Sequence, residues 1–183
     1  MTPRPSLTVL FDIDGTLVDS NDAHARAWVA AFAEHGVTVA FADVRRCIGM
    51  GGDRLMPEVS GIDEQSSRGA AISKRRSDIF KREFLPTLEP FPDADRLVAA
   101  VKHLGHKAVT ASSAKADELQ SLLSIARVAT LMDLSTSSDD ADESKPAPDI
   151  ILAAMTRAGA LPERTVMIGD TPYDVEAARR AGI

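Results

Sequence analysis

The sequence predicts an α/β protein, a Rossmann-like parallel sheet with an all-helical block inserted after the first strand. Three observations carry this. The apolar run Val9-Leu10-Phe11 breaks off into two carboxylates, Asp12 and Asp14, and β-formers without polar alternation mark a strand buried on both faces. From Ser20 to about Pro90 no strand pattern recurs. From Phe91 onward strand and helix patterns alternate, which implies parallel strands joined by right-handed crossovers.

Taken in order, Asn21 or Asp22 is expected to cap a helix that runs to His35 and stops at Gly36. Trp28 and Phe32, four apart, share its apolar face. A short helix over 43–47 leads to Ile48-Gly49-Met50-Gly51-Gly52, and Asp53 is expected to cap the next helix, to 59. A long polar helix is expected over 64–84, broken by Pro86. A helix over 93–103 precedes a strand over 107–110 that ends in Ala111-Ser112-Ser113. A helix over 115–124 and a strand over 134–137 follow. Lys145-Pro146-Ala147-Pro148 opens a helix over 149–158, with Gly159 at its end. Val166-Met167-Ile168 is the last apolar run; it ends in Gly169-Asp170 before a helix over 174–181. The expected division is a core of 1–19 and 91–183 around a helical block of 20–90.

The chain has 183 residues, 44% hydrophobic and 26% charged, which fits an ordinary globular fold. A net charge of -6 argues against nucleic acid or an anionic membrane as partner. Cys47 is the only cysteine, so no internal disulfide or Cys-rich zinc site can form, and it reads as a small buried apolar residue. The stretch before the first strand is too short for a signal peptide, and no apolar run would span a bilayer. A cytoplasmic address is therefore expected.

In open α/β sheets ligands bind at the carboxyl ends of the strands. Polar residues gather there in this chain: Asp12 and Asp14, then Ser112, then Lys145 on a loop, then Asp170 and Asp174. Each alone has a plain structural reading, as an acidic turn, a helix cap or a solvated lysine. Clustered carboxylates repel, and a divalent cation is the usual remedy.

The set Asp-x-Asp-Gly-Thr (12–16), Ser112, Lys145-Pro-x-Pro-Asp and Gly169-Asp-Thr-x-x-Asp174, in that order along nearly the whole chain, resembles the haloacid dehalogenase-like superfamily of phosphatases and phosphomutases. The resemblance implies a Mg²⁺-dependent phosphatase acting on a small phosphorylated metabolite, phosphoglycolate or a sugar phosphate. Asp12 would be the nucleophile that forms an aspartyl-phosphate. The Mg²⁺ ligands would be an Asp12 oxygen, the Asp14 backbone carbonyl and Asp170, with Asp174 in support. Asp14 would be general acid and then base, a role that wants a carboxyl pKa raised towards neutrality. Ser112 would bind a phosphate oxygen and Lys145 would neutralise the phosphoryl group. Around the substrate the resemblance places Gly15, Thr16, Ser113, His24, Gly51 and Gly52. True dehalogenases release halide unprotonated and need no acid at Asp14, so its presence favours phosphoryl transfer.

Residues 20–90 resemble the family's helical cap, with hinges near 18–20 and 86–92. Closure would exclude water. His24 sits where related mutases carry a histidine at the cap–core boundary, and it would touch substrate or couple closure to Asp14; the alternative is a helix-surface histidine. A sugar-phosphate mutase is less well matched. The arginine that mutase caps carry shortly after a Gly is displaced here to Arg54, and Gly169-Asp170 stands where those mutases have Glu-Asp. Gly49–Gly52 lacks the Lys-Ser/Thr of a P-loop and reads as a flexible turn facing the substrate. Lys74, Arg75, Arg76, Lys81 and Arg82 read as a solvated face; any that entered the cleft would favour a second anionic group on the substrate. Family members normally continue with another strand after the position of Ile183, so a missing edge strand is expected, with pairing through that edge. A catalytically silent fragment that binds metal or a partner is the remaining alternative.

Overall fold

The computed structural model describes residues 6–183; the run 1–5, which enters the signal-peptide argument, lies outside them. Among the described residues β1 (Thr8–Phe11) is the middle of a three-stranded parallel sheet, flanked by β2 (Lys107–Thr110) and β3 (Thr165–Ile168). The register pairs Phe11 with Thr110 on one side and with Ile168 on the other, so three strand ends open at one edge.

Strand alternation divides the core in two. Val9 and Phe11 pack with Val98, Leu119 and Leu122 of α5 (Ala94–His103) and α6 (Ala116–Ile125). Leu10 and Val109 pack on the other face with Ile151, Ala154 and Ala177 of α7 (Asp149–Ala158) and α8 (Pro172–Arg180). Burial on both faces explains the unbroken apolar run that identified β1.

Between β1 and α5 lie α1 (Asn21–Glu34), α2 (Phe41–Cys47), α3 (Gly52–Ser60) and α4 (Ser67–Ile79), which gather around Trp28, Phe32, Leu55, Ile72 and Phe80. Trp28 and Phe32 stack with ring centroids 5.6 Å apart. The two connections to the sheet run side by side: Asp19 N donates to Glu89 O and Phe91 N to Leu17 O. No helix among the described residues is long and apolar enough to cross a membrane.

The structure corrects several expected elements. The strand over 134–137 is reduced to a single bridge between Leu134 and Val109. Its ladder is diverted at Thr136, whose N–H donates to the Thr110 hydroxyl at 2.7 Å instead of to a backbone carbonyl. The 64–84 helix is divided: α4 begins at Ser67 because the Ser66 side chain caps Gly69 N, and past Ile79 the chain widens into a π-turn over Phe80–Phe84. Ser20, not Asn21 or Asp22, stands at the α1 cap position, yet its hydroxyl is committed to Asp14. Gly51 precedes α3, and Asp53 lies in its first turn with its carboxylate bound to Ser144. Helix α8 starts two residues early at Pro172, because Thr171 and Asp174 form a reciprocal capping box.

Candidate active site

The sheet order brings Asp12, just past β1, beside the loop after β3. Lys145 reaches both from the loop before α7: its Nζ donates to Asp12 Oδ1 at 2.7 Å and to Asp174 Oδ1 at 2.6 Å, with all three side chains buried. The other Asp174 oxygen accepts from Thr171 N and Oγ1. Carboxylate oxygens of Asp12, Asp170 and Asp174 lie within 4.8 Å of one another, and Asp170 faces the open side. Asp170 is tied to Asn21, whose amide donates to Oδ2 at 2.7 Å; Asn21 Oδ1 is buried without a hydrogen bond.

Electrostatics follow from this crowding. Burial, offset by Lys145 and reinforced by the charges of Asp174 and Asp14, pushes the Asp12 carboxyl up to about 8. Partial burial beside Asp174 raises Asp170 too. Burial works against the Lys145 ammonium, but the two facing carboxylates outweigh it and hold the lysine above its ordinary value. Carboxylates in excess of cations, at ligand spacing, suit a divalent metal with oxygen ligands. Asp12 has one oxygen outside the Lys145 bond, and Asp170 has one held only by the long Thr16 contact, whereas both Asp174 oxygens are tightly engaged.

Asp14 takes its hydrogen bonds from α1 and its cap position rather than from this cluster. Its Oδ1 accepts from Ser20 Oγ at 2.5 Å and bonds His24 Nε2 at 2.8 Å. The expected upward pKa shift is reversed: burial raises the carboxyl, but His24, Ser20 and the more distant Arg76 charge together hold it below the ordinary value. His24 is buried in α1, stacked on Phe80 at 3.9 Å between centroids, so it is not a helix-surface histidine.

Two adjoining cavities open on these groups. The smaller, about 70 Å³, is lined by Asp12, Asp14, His24, Gly51, Gly52, Arg76 and Ser113. The larger, about 220 Å³, takes in Ser112, Ser113, Lys145, Gly51, Gly52 and Glu118. Ser112 is buried, and its Oγ accepts from Ala114 N at 3.1 Å, which leaves the hydroxyl proton for another acceptor. Gly51 N donates to Ser144 Oγ, and Ser113 Oγ donates to Gly49 O. Gly15 and Thr16 line neither cavity. They lie against Asp170: Thr16 Oγ1 is 3.5 Å from Oδ1, and a Cβ on Gly15 would come within 2.3 Å of Oδ2.

Sequence reasoning passed over Asn21 and Glu118, and it left Arg76 among the solvated bases. The other four bases do pair outside the cavities, with Asp78, Glu34, Asp117 and Glu83. Arg76 differs because it follows buried Ile72 by four residues and precedes Phe80 by four, placing it on the packed face of α4. That spacing was the available signal. For Asn21 nothing in the sequence marks the contact with Asp170.

The pattern of haloacid dehalogenase-like hydrolases matches residues 9–183. A probable phosphatase IndB of Dickeya dadantii is 29% identical over 180 residues, covering 96% of this chain and 77% of that protein. A phosphoglycolate phosphatase of Aquifex aeolicus is 30% identical over 179 residues, covering 95% and 80%. The crystal structure of a hydrolase from Pseudomonas syringae superposes with a TM-score of 0.88 at 27% identity, over 97% of this chain and 82% of that one.

Proposed function

The chain belongs to the haloacid dehalogenase-like hydrolases, and we propose that it hydrolyses a small phosphomonoester, phosphoglycolate or a sugar phosphate, through a phosphorylated Asp12. One observation carries the proposal: Lys145 joins Asp12 to Asp174 at the strand ends, within ligand distance of Asp170. The Aquifex aeolicus relative, itself a phosphoglycolate phosphatase, supports the substrate class.

A carboxylate oxygen of Asp12 attacks phosphorus, and the ester bond to the alcohol breaks. Asp14, which the free site holds ionised, first takes a proton from solvent and passes it to the departing oxygen, then takes one from the water that cleaves the acyl phosphate; phosphate leaves and Asp12 is restored. Lys145 keeps its charge throughout and offsets the negative charge that gathers on the transferred group. The Ser112 hydroxyl, an acceptor only from Ala114 N, is placed to donate to a phosphate oxygen. Asp12 and Asp170, with Asp174 in support and the Asp14 carbonyl as the resemblance suggests, would hold Mg²⁺. When bound, Mg²⁺ would neutralise the approach of a phosphate dianion to a carboxylate.

The helices over 20–90 act in this reading as a cap whose side-by-side connections serve as hinges. Trp28, Gly51, Gly52 and Arg76 would then close over the substrate. A cytoplasmic setting fits the single cysteine, which leaves no internal disulfide to maintain. Phosphate release from an aryl phosphate, with and without Mg²⁺, tests the proposal. Asp12→Asn is expected to abolish release without altering the melting temperature by more than a few degrees, and retained turnover would remove Asp12 from the nucleophile's role.

A further inference from the structure

We propose that Glu118 is a positioning residue for the acid step, acting across the cleft through Arg76 and His24 to fix which oxygen of Asp14 is left to face the leaving group. The inference rests on the phosphatase reading and extends it to a residue outside the reacting groups.

Glu118 lies in the first turn of α6, on the sheet side of the cleft, with its side chain 2% exposed. Its carboxylate accepts from Arg76 Nη1 at 3.0 and 3.2 Å and from Ser77 Oγ at 3.0 Å, both residues being on α4. Arg76 is also held over the rings of Trp28 and Phe80, 5.4 Å from each centroid. Its second terminal nitrogen, Nη2, lies 3.1 Å from His24 Nδ1. A guanidinium can only donate, so Nδ1 is the acceptor and the imidazole proton sits on Nε2. That proton is donated to Asp14 Oδ1 at 2.8 Å. Oδ1 also accepts from Ser20 Oγ, so two donors occupy it. Oδ2, engaged by neither His24 nor Ser20, is thereby the oxygen left to face the leaving group.

The path links α6 to α4, α1 and the loop after β1, and so spans both sides of the cleft. Without Glu118, Arg76 has no anion to anchor it. The hydrogen bond that sets the His24 tautomer then loses its fixed geometry. Small misplacements of a reacting group cost on the order of a hundredfold in rate.

The test uses kcat/KM for esters of falling leaving-group basicity: beta-glycerophosphate, phenyl phosphate and para-nitrophenyl phosphate. Glu118→Ala is expected to lower kcat/KM on the order of a hundredfold for the alkyl ester and to leave para-nitrophenyl phosphate nearly unchanged, because a good leaving group departs without a proton. Glu118→Gln keeps the size of the side chain but removes the anion that pairs with Arg76. It is expected to show the same graded loss, and it carries the test if Glu118→Ala does not fold. In both variants ¹⁵N spectra of the histidine ring are expected to show His24 leaving the single Nε2–H form. A uniform loss across the three esters, wild-type turnover of all three, or an unchanged His24 spectrum overturns the proposal. Wild-type protein that releases no phosphate from any ester contradicts the phosphatase reading instead, so the two failures are distinguishable.

Discussion

Lys145 Nζ is shared between Asp12 and Asp174, at 2.7 and 2.6 Å, in a pocket where all three side chains are buried. One cation thus bridges an acid just past β1 and an acid in the first turn of α8, and ties the loop before α7 to both.

Removing that cation leaves two buried carboxylates facing one another. Lys145→Met is expected to abolish phosphatase activity and to lower stability by about 3–5 kcal/mol, the usual cost of breaking a buried pair from one side. Urea denaturation of the variant checks this. An unchanged midpoint would mean that solvent already screens the pair.

Metal binding and the Asp12 proton compete. Burial pushes Asp12 up to about 8, so in metal-free protein the carboxyl holds a proton below that pH, and a cation must displace it. Mg²⁺ affinity is expected to rise as pH climbs towards 8 and to level off above it, with proton uptake by the buffer at the lower end. Calorimetric titrations in buffers of different ionisation enthalpy measure both. Affinity independent of pH from 6 to 8 would show Asp12 already ionised.

Gly15 has a φ of +77°, and a Cβ there would come within 2.1 Å of Asn21 Nδ2 and 2.3 Å of Asp170 Oδ2. Both are side-chain ends that can swing aside. Gly15→Ala is therefore expected to raise the Mg²⁺ concentration for half-maximal activity several-fold. The left-handed backbone adds a stability loss of about 1 kcal/mol or more. Activity titrated against Mg²⁺ gives the first, and a thermal melt the second.

The sheet and its acidic edge were legible because β1, buried on both faces, leaves an unbroken apolar run before Asp12, and Val166-Met167-Ile168 repeats that signal before Asp170 although Val166 is exposed; before Ser112 the run is broken by Thr110. Lys145 was legible only through its place in a motif; nothing in its neighbours' spacing announces burial. Leu134–Ser137 misled because its pattern is that of a strand, while the Thr110 hydroxyl takes the Thr136 N–H that a ladder needs. The chemistry of Asp14 misled for a related reason. Burial alone argues for a raised pKa, but His24 and Ser20 arrive from α1 and its cap position, a tertiary meeting that no local pattern records. Arg76 lay hidden in a run of bases until the helix phase separated it from Lys74 and Arg75.

Rapid acid quench during turnover, followed by borohydride reduction and peptide mass spectrometry, tests the covalent step most directly. A phosphorylated Asp12 should be reduced to homoserine at that position, formed only when substrate and Mg²⁺ are both present. Homoserine at Asp14 or Asp170, or none at any carboxylate while phosphate is being released, would contradict the account.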